Sequence, residues 1–485
     1  MARYVPDHSS QTLFIDGSLD SLLPDNSVAR SIRHGLGELD FSRFDAVYRN
    51  DLEGRPAIDP RRLTGLWILA LLRGVTSSVQ VACLCRTDIE FRWLCDDAHV
   101  QKSTLSAFRS DHNEALRDLS TQLLTVLSRS GMLPGEALGA DGTVIRAASS
   151  CGASRTRKQL RRRTARLKRV IAEKYAESDS LDETGKRLVK KQQRFERALV
   201  EMSELGLDND ADRMTITEPE ASMKRLKNGS FGPAHNVQVV TDLDSGAIIS
   251  AEVIDKQNDS GQLLPQTRQA QEELQRVDEH LKEDTESGSS VKAVVADSAY
   301  HDTRQLVTLD DEGIATYVPD DRGRHRLPSG VAKQFDRDKF CYEASTDTMV
   351  CPVGVRLKRR KLNKNGTAMT YQAPTSVCLK CSHKPQCSPS SGSGRSVNRP
   401  LYENVLKRVT DRVASEAGKR QLQARSVVTE GAIGRLVSLL HWRRCRIWGR
   451  AGAQAETLWR QIGHNLMLYL GHWRPLVLKP APAGM

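Results

Sequence analysis

VKAVVADSAYHDTRQLVTLDDEGIATYVP, residues 291–319, reads as two short apolar strands around one helix. VKAVVA (291–296) is a buried-strand run that ends at Asp297, GIATYVP (313–319) supplies a second strand, and DTRQLVTLDDEG lies between them with helical spacing. Strand, helix and strand in that order predict an α/β unit. Upstream, FGPAHNVQVVTDLDSGAIISAEVIDKQND (231–259) sets β-branched and apolar residues around the turn signal DLDSG, which predicts a β-hairpin. Further upstream, GEALGADGTVIRA (135–147) is another short apolar run ending at an aspartate, Asp141.

Around this sheet-forming middle the pattern is helical. Residues 1–130 carry apolar positions at helical spacing in PRRLTGLWILALLRG and STLSAFRSDHNEALRDLSTQLLTVLSRSG. The short helices expected in SSVQVACLCRTDIEFRWLC between them form either a helix-turn-helix-like unit, with Arg92, Lys102 and Arg109 available to phosphates, or a plain bundle packed on the rest. Residues 154–205 form a long, charged helical stretch inserted soon after Asp141. Its cations, Arg155, Arg157, Lys158, Arg161, Arg162, Arg163, Arg166, Lys168 and Arg169, spread around every face and leave no single apolar stripe to bury. Such a segment is either a solvated helix or an arm lying along a DNA backbone. Residues 321–400 read as an irregular, cysteine-bearing insertion with a flexible loop at SPSSGSGRS (388–396), and 401–475 return to helix. The expected organisation is thus 1–130 helical, 131–320 the first part of an α/β core, 321–400 an insertion, and 401–475 the rest of the core.

The 485 residues carry Lys+Arg 72 against Asp+Glu 60, a formal net charge of +12, which favours a polyanionic partner. No basic region followed by an apolar stretch opens the chain, so no secretory signal is expected. The most apolar runs, LTGLWILALLRGV (63–75) and IGHNLMLYLG (462–471), are shorter than the roughly 20 residues of a membrane-spanning helix and read as buried helices. Ten cysteines in so long a chain fit reduced thiols or a metal site, and the protein is expected to be cytoplasmic.

Asp141 and Asp297 stand at strand ends, and Glu430 lies in ARSVVTEGAIGRLVSLLHWRRCR, on an arginine-rich helix. Strand ends fix a carboxylate's direction while the departing backbone opens a site. Three such carboxylates suit a pair of hard divalent cations, Mg²⁺ or Mn²⁺, of the kind used in phosphodiester chemistry. Arg425, Arg435, Arg443 and Arg444 surround Glu430 and, with Arg155, Arg157, Lys158, Arg161, Arg162 and Arg163, are the expected DNA contacts.

DGTVIRA, HNVQVVTD, VVADSAY and RSVVTEGAIGRL, in this order, resemble the landmarks of bacterial insertion-sequence transposases of the Asp-Asp-Glu class. The resemblance extends over most of the chain, including GVTSSVQVACLCRTDIEFRWLC, STLSAFRSDH and the cysteine-bearing insertion. It implies an RNase H-like mixed sheet flanked by helices, with Asp141, Asp297 and Glu430 gathered at one edge as catalytic metal ligands. It also implies binding to double-stranded DNA at element ends and target, a homodimer or larger synaptic complex, nucleoid association, and cleavage followed by joining of 3′ hydroxyls. A domesticated DNA-binding protein without activity, or an RNase H-like nuclease without strand transfer, are the alternatives. Related transposases carry a tyrosine, an arginine, the glutamate and a lysine on the last helix. Here Arg425 and Glu430 fit loosely, and Val437 stands at the lysine position.

Asn236, Gln238, Asn258 and Asp259 resemble further landmarks near the core, with strand-end structural roles expected. Trp442 and Trp448 suit either core packing or stacking on an unpaired base. Cys351, Cys378, Cys381 and Cys387 have the composition of a tetrahedral zinc site, with Cys341 and His383 as spare ligands, or are reduced thiols in a loop-rich insertion. Cys83, Cys85 and Cys95 are expected to pack as small apolar groups.

Overall fold

The computed structural model describes residues 17–47, 57–177, 182–226, 229–256, 258–281, 290–320, 331–364, 366–388 and 392–473. Residues 1–16, on which the expectation about a secretory signal falls, and residues 389–391 of the expected flexible loop lie outside the described residues.

Among the described residues eight helices come first: α1 (Leu19–Leu22), α2 (Val28–Gly37), α3 (Ser42–Asp45), α4 (Pro60–Leu72), α5 (Ser78–Thr87), α6 (Ile89–Leu94), α7 (Lys102–Ser110) and α8 (Asn113–Arg129). The start of α4 is set by Asp59, whose carboxylate accepts from the Arg61 amide, and by Pro60, which has no amide to leave unpaired. Every residue of α4 from Leu63 to Leu71 is buried, as expected of an apolar run too short for a membrane. No helix among the described residues is long and apolar enough to cross a membrane. Cys85 and Cys95 are packed in this region as expected, but Cys83 is exposed.

The central sheet is built from β1 (Ala137–Arg146), then, beyond the insertion, β4 (Ser222–Arg225), β5 (Phe231–Asp242), β6 (Ile248–Ile254), β7 (Ala293–Ala296) and β8 (Ala315–Tyr317). Its order is β4-β5-β1-β7-β8, with β6 pairing β5 beside β4. β5 and β6 are the expected antiparallel hairpin, and β5 runs antiparallel to β1. β7 is parallel to both β1 and β8, with α12 (Thr303–Asp311) as the crossover and α11 (Leu263–Leu281) preceding β7. This is a mixed sheet with helices on its faces.

The insertion after β1 is two helices, not one: α9 (Arg157–Glu177) and α10 (Glu183–Glu204), closed at the base by β2 (Ser154–Thr156) pairing β3 (Arg213–Thr215). The expectation that α9 buries no stripe is wrong. Leu160, Thr164 and Ile171 are buried, Leu167 is half-buried, and Leu160 and Leu167 join Phe195, Ala198, Met202 and Met214 in one small core. The spacing of those residues is that of one helix face, which the surrounding cations concealed.

Residues 331–400 are also more regular than expected. β9 (Cys341–Glu343), β10 (Thr348–Val350), β11 (Arg356–Leu362), β12 (Ala368–Gln372) and β13 (Ser396–Pro400) form an antiparallel sheet in the order β13-β12-β11-β10-β9, with α13 (Thr375–Leu379) and α14 (Lys384–Cys387) between β12 and β13. Then come α15 (Glu403–Ala414), α16 (Glu416–Ser438) and α17 (Gly449–Tyr469).

α17 joins the two ends of the chain. Its apolar residues Leu458, Trp459, Ile462 and Leu466 share one core with Leu63, Trp67, Phe108 and Leu116 of the N-terminal helices and with Val237 and Ile248 of the sheet. Gln454, Gln461 and Asn465, spaced along one helix face, hydrogen-bond the backbone of β6. The Val253 amide donates to Gln454 (2.8 Å), the Ile248 amide donates to Asn465 (2.9 Å), and Gln461 donates to the Ile248 and Ile249 carbonyls. Backbone groups of an outer strand are thereby satisfied by side chains instead of by another strand. Arg109, expected to be available to phosphates, is buried here, 3.3 Å from Glu456 and stacked over Trp67. A guanidinium taken out of water must keep its carboxylate partner, so Arg109 belongs to the core. Arg92 is paired with Asp97, while Lys102 is exposed.

Candidate active site

Asp141 does not end its strand as expected: Thr143, Val144 and Ile145 carry β1 on to Arg146, so Asp141 sits midway along it, opposite Val239 of β5. The parallel register pairs Ala140 with Ala296, so Asp297, the next residue after β7, emerges beside Asp141 at the same level of the sheet. Asp297 also caps the turn that follows it, accepting from the Ala299 amide at 2.9 Å. Capping and facing the site are compatible, since a carboxylate has several lone-pair positions.

Glu430 reaches the same edge on α16. The helix crosses β1 closely: Thr429 bonds Thr241 hydroxyl to hydroxyl at 2.8 Å, and a Cβ on Gly139 would lie 2.1 Å from the Thr429 hydroxyl. Only glycine at 139 allows that approach. Gly142 has the same cause on the other side of Asp141, where a Cβ would meet Asp259 Oδ1 at 2.4 Å and Gln238 Nε2 at 2.8 Å. Arg425, a little over one helical turn before Glu430, ties the acids together. Its guanidinium lies 3.2 Å from Asp141 Oδ2 and 2.8 Å from Glu430 Oε1.

The electrostatics follow from this packing. Burial pushes the Asp141 carboxyl up to about 6; Arg425 and the Gly142 amide (2.8 Å) pull it down, while Asp297 and Glu430 add like charge. Burial also raises the Tyr300 hydroxyl, reinforced by Asp259, Asp141 and Asp297. Tyr300 donates to Gln238 Oε1, and Gln238 and Asn236 in turn donate to Asp259 Oδ1 at 2.6 and 3.2 Å. A hydrogen-bonded chain therefore runs from the turn after Asp297, across β5, to the carboxylate beside Gly142. Asn236, Gln238 and Asp259 have the structural role expected of them. Tyr300 as the far end of the chain was not singled out from the sequence.

The three acids offer only hard oxygen donors, and two of them already turn toward one cation, the Arg425 guanidinium. That donor chemistry fits Mg²⁺ or Mn²⁺. As the side chains stand, no group of three or more His, Cys, Asp or Glu among the described residues is arranged to hold a metal ion.

The expected DNA contacts fall into two groups. Lys158, Arg161, Arg162 and Arg163 are exposed on α9, and Arg443 is exposed after α16. Arg157 is buried, bonded to the Leu207 carbonyl (3.0 Å) and the Ser203 hydroxyl (2.8 Å), where it pins α9 to the end of α10. Arg155 is half-buried in β2. Arg444 donates to the Ala147, Ala148 and Ser149 carbonyls, and Arg435 is half-buried over the Trp473 ring at 5.4 Å. These arginines are engaged within the protein, Arg155 and Arg157 at the base of the hairpin, Arg444 beyond the end of β1 and Arg435 against Trp473 beyond the end of α17. Trp442 is buried under Arg460, whereas Trp448 is 55% exposed, beside Arg194 and Arg197. Without any mark in the sequence pattern, Arg356, Lys358, Arg359, Arg360 and Lys361 make β11 an exposed basic strand.

Two segments match known family models. Residues 17–111 match a transposase domain (DUF772), and residues 350–470 match a transposase DDE domain. The second match contains Glu430; Asp141 and Asp297 lie between the two. No curated protein matches the chain.

Proposed function

Because the chain is an insertion-sequence transposase of the Asp-Asp-Glu family, and so a DNA-binding protein with an RNase H-like core, we propose that it cuts DNA at the ends of a mobile element. It then joins the 3′ hydroxyls to target DNA by divalent-metal-dependent transesterification. The observation that carries this reading is the β1/β7 register, which sets Asp141 beside Asp297 on the edge that Glu430 shares through Arg425.

In this reading Asp141, Asp297 and Glu430 hold Mg²⁺ or Mn²⁺, which when bound activates the attacking hydroxyl and stabilises the leaving oxygen. The protein's own part is positioning. Gly139 and Gly142 let α16 and the Asp259 network close on Asp141, and the Tyr300–Gln238–Asp259 chain holds the two aspartates at a fixed separation. Lys158, Arg161, Arg162, Arg163 and Arg443 would contact phosphates without reading sequence. Residues 1–130 would bind the element ends, and pairing two ends calls for a homodimer or larger assembly. The protein would act in the cytoplasm at the nucleoid.

Purified protein incubated with Mg²⁺, labelled element ends and a plasmid target is expected to yield joined products. Asp141→Asn is expected to lower both cleavage and joining by about 10³-fold or more while leaving end binding intact. Cleavage without joining would make the protein a nuclease, and binding alone a domesticated DNA-binding protein. Full activity in Asp141→Asn would remove Asp141 from the site.

A further inference from the structure

We propose that Cys351, Cys378, Cys381 and Cys387 form a tetrathiolate zinc site that staples the five-stranded sheet of residues 331–400, separate from the proposed catalytic metal site. The four cysteines come from two places in the fold: Cys351 from the turn joining β10 to β11, and the other three from the α13–α14 segment. They line one small cavity of about 30 Å³ with Val355, Leu357 and Ala373. None is in a disulfide and each is half-buried.

The turn at Cys351 is shaped for a metal-bound sulfur. The Cys351 amide donates to the Val355 carbonyl (2.9 Å), the Gly354 amide donates to the Cys351 carbonyl (2.8 Å), and the Val355 amide points back at Cys351 Sγ at 3.2 Å. A backbone amide aimed at sulfur favours thiolate over thiol, as hydrogen bonds to metal ligands do. Lys384 and Arg395 also line the cavity and supply positive charge against four thiolates around a divalent ion. Soft sulfur donors select zinc over the hard cations suited to carboxylates.

The module also needs a staple. Among the described residues its own core is Phe340, Met349, Leu357, Met369, Tyr371, Ala373 and Val397, with Cys351, Cys378 and Cys387 packed at its margin. Domains of about 70 residues or fewer seldom hold together on so little apolar burial without a disulfide or a metal. Cys341 is exposed on β9; His383 also lines the cavity, but its ring packs on Phe335 at 5.6 Å, and the four thiols complete a tetrahedral set without either. The four thiols share the cavity without forming a ready ligand set among the described residues.

Full-length protein purified without added metal is expected to carry about one zinc per chain, and the Cys378→Ser/Cys381→Ser variant less than about a tenth. Replacing zinc by Co²⁺ in the wild-type chain is expected to give the intense sulfur-to-cobalt absorption of a tetrahedral thiolate site, a readout independent of how the variant folds. Asp141→Asn should leave zinc content and the cobalt spectrum unchanged, which separates this site from the catalytic one. Wild-type protein without zinc and without that spectrum after Co²⁺ addition would overturn the proposal, as would full zinc retention in a folded Cys378→Ser/Cys381→Ser chain.

Discussion

Arg425 decides how the acidic edge behaves before any metal or DNA arrives. Its guanidinium, only 11% exposed, faces Asp141 and Glu430 together, so it offsets the repulsion that burial would otherwise make costly. The sequence presented Arg425 as one more phosphate contact, because a helix rich in arginine gives no sign of which cation turns inward. A divalent ion held as proposed by Asp141 and Glu430 would compete with this guanidinium for the same oxygens. Arg425→Gln is therefore expected to destabilise the metal-free protein, on the order of 2 kcal/mol, through loss of charged hydrogen bonds. The same variant should show a larger rise in melting temperature on adding Mg²⁺ than wild type, since the competing cation is gone. If Arg425 acts only on DNA phosphates, the Mg²⁺-induced shift will be the same in both proteins.

Among elements, the α9–α10 hairpin is the clearest separable part. The Arg157 amide donates to the Asp212 carbonyl at 2.9 Å, so the ends of the insertion already touch, and its buried side chains pack chiefly on each other. Replacing residues 158–211 by a short Gly-Ser link is expected to leave the central sheet folded while weakening DNA binding. Removing several exposed cations should make the dependence of log affinity on log salt shallower, by about 0.9 for each phosphate no longer neutralised. An unchanged salt slope with a folded core would show that the hairpin does not touch DNA. What the sequence disclosed about such elements depended on whether the signal was local. The β5–β6 hairpin and the β7–α12–β8 unit were legible because alternation, turn residues and helical spacing all lie within a few residues of one another. The α9 stripe at Leu160, Thr164, Leu167 and Ile171 was hidden among cations, and charged strands such as RLKRRKL (356–362) carry no apolar alternation to announce a sheet. At the site, Asp297 was marked by the end of its strand, whereas Asp141 lies in the middle of β1, because the residues after it continue the strand instead of ending it. The closeness of Thr429 to Gly139, and of Asp259 to Gly142, depends on chain crossings that no local pattern encodes.

At the scale of the whole molecule, stability converges on α17, which packs the N-terminal helices on one side and satisfies the β6 backbone on another. His464 lies fully buried in this junction, with Nε2 3.0 Å from the Gly246 carbonyl and the ring set edge-on to Trp473. Its Nδ1 has no hydrogen-bond partner among the described residues. Burial pushes its pKa down to about 4; the Gly246 carbonyl opposes the shift and Arg435 adds to it. In the unfolded chain an ordinary histidine titrates near 6.5. Between those two values the unfolded chain takes up a proton that the folded chain refuses. This contribution is therefore fully present above about pH 6.5 and is lost as the pH falls toward 4, a loss of about 3 kcal/mol. Because one core joins the N-terminal helices, α17 and the central sheet, that loss is expected to appear in the unfolding of those elements together. His464→Gln retains a donor for Gly246 without the titration. Denaturant unfolding measured from pH 7 to 4 should show its stability falling less steeply than wild type, with the difference opening below about pH 6.5. Parallel curves for the two proteins across that range would mean that His464 is protonated in the folded junction and that its burial does not govern acid stability.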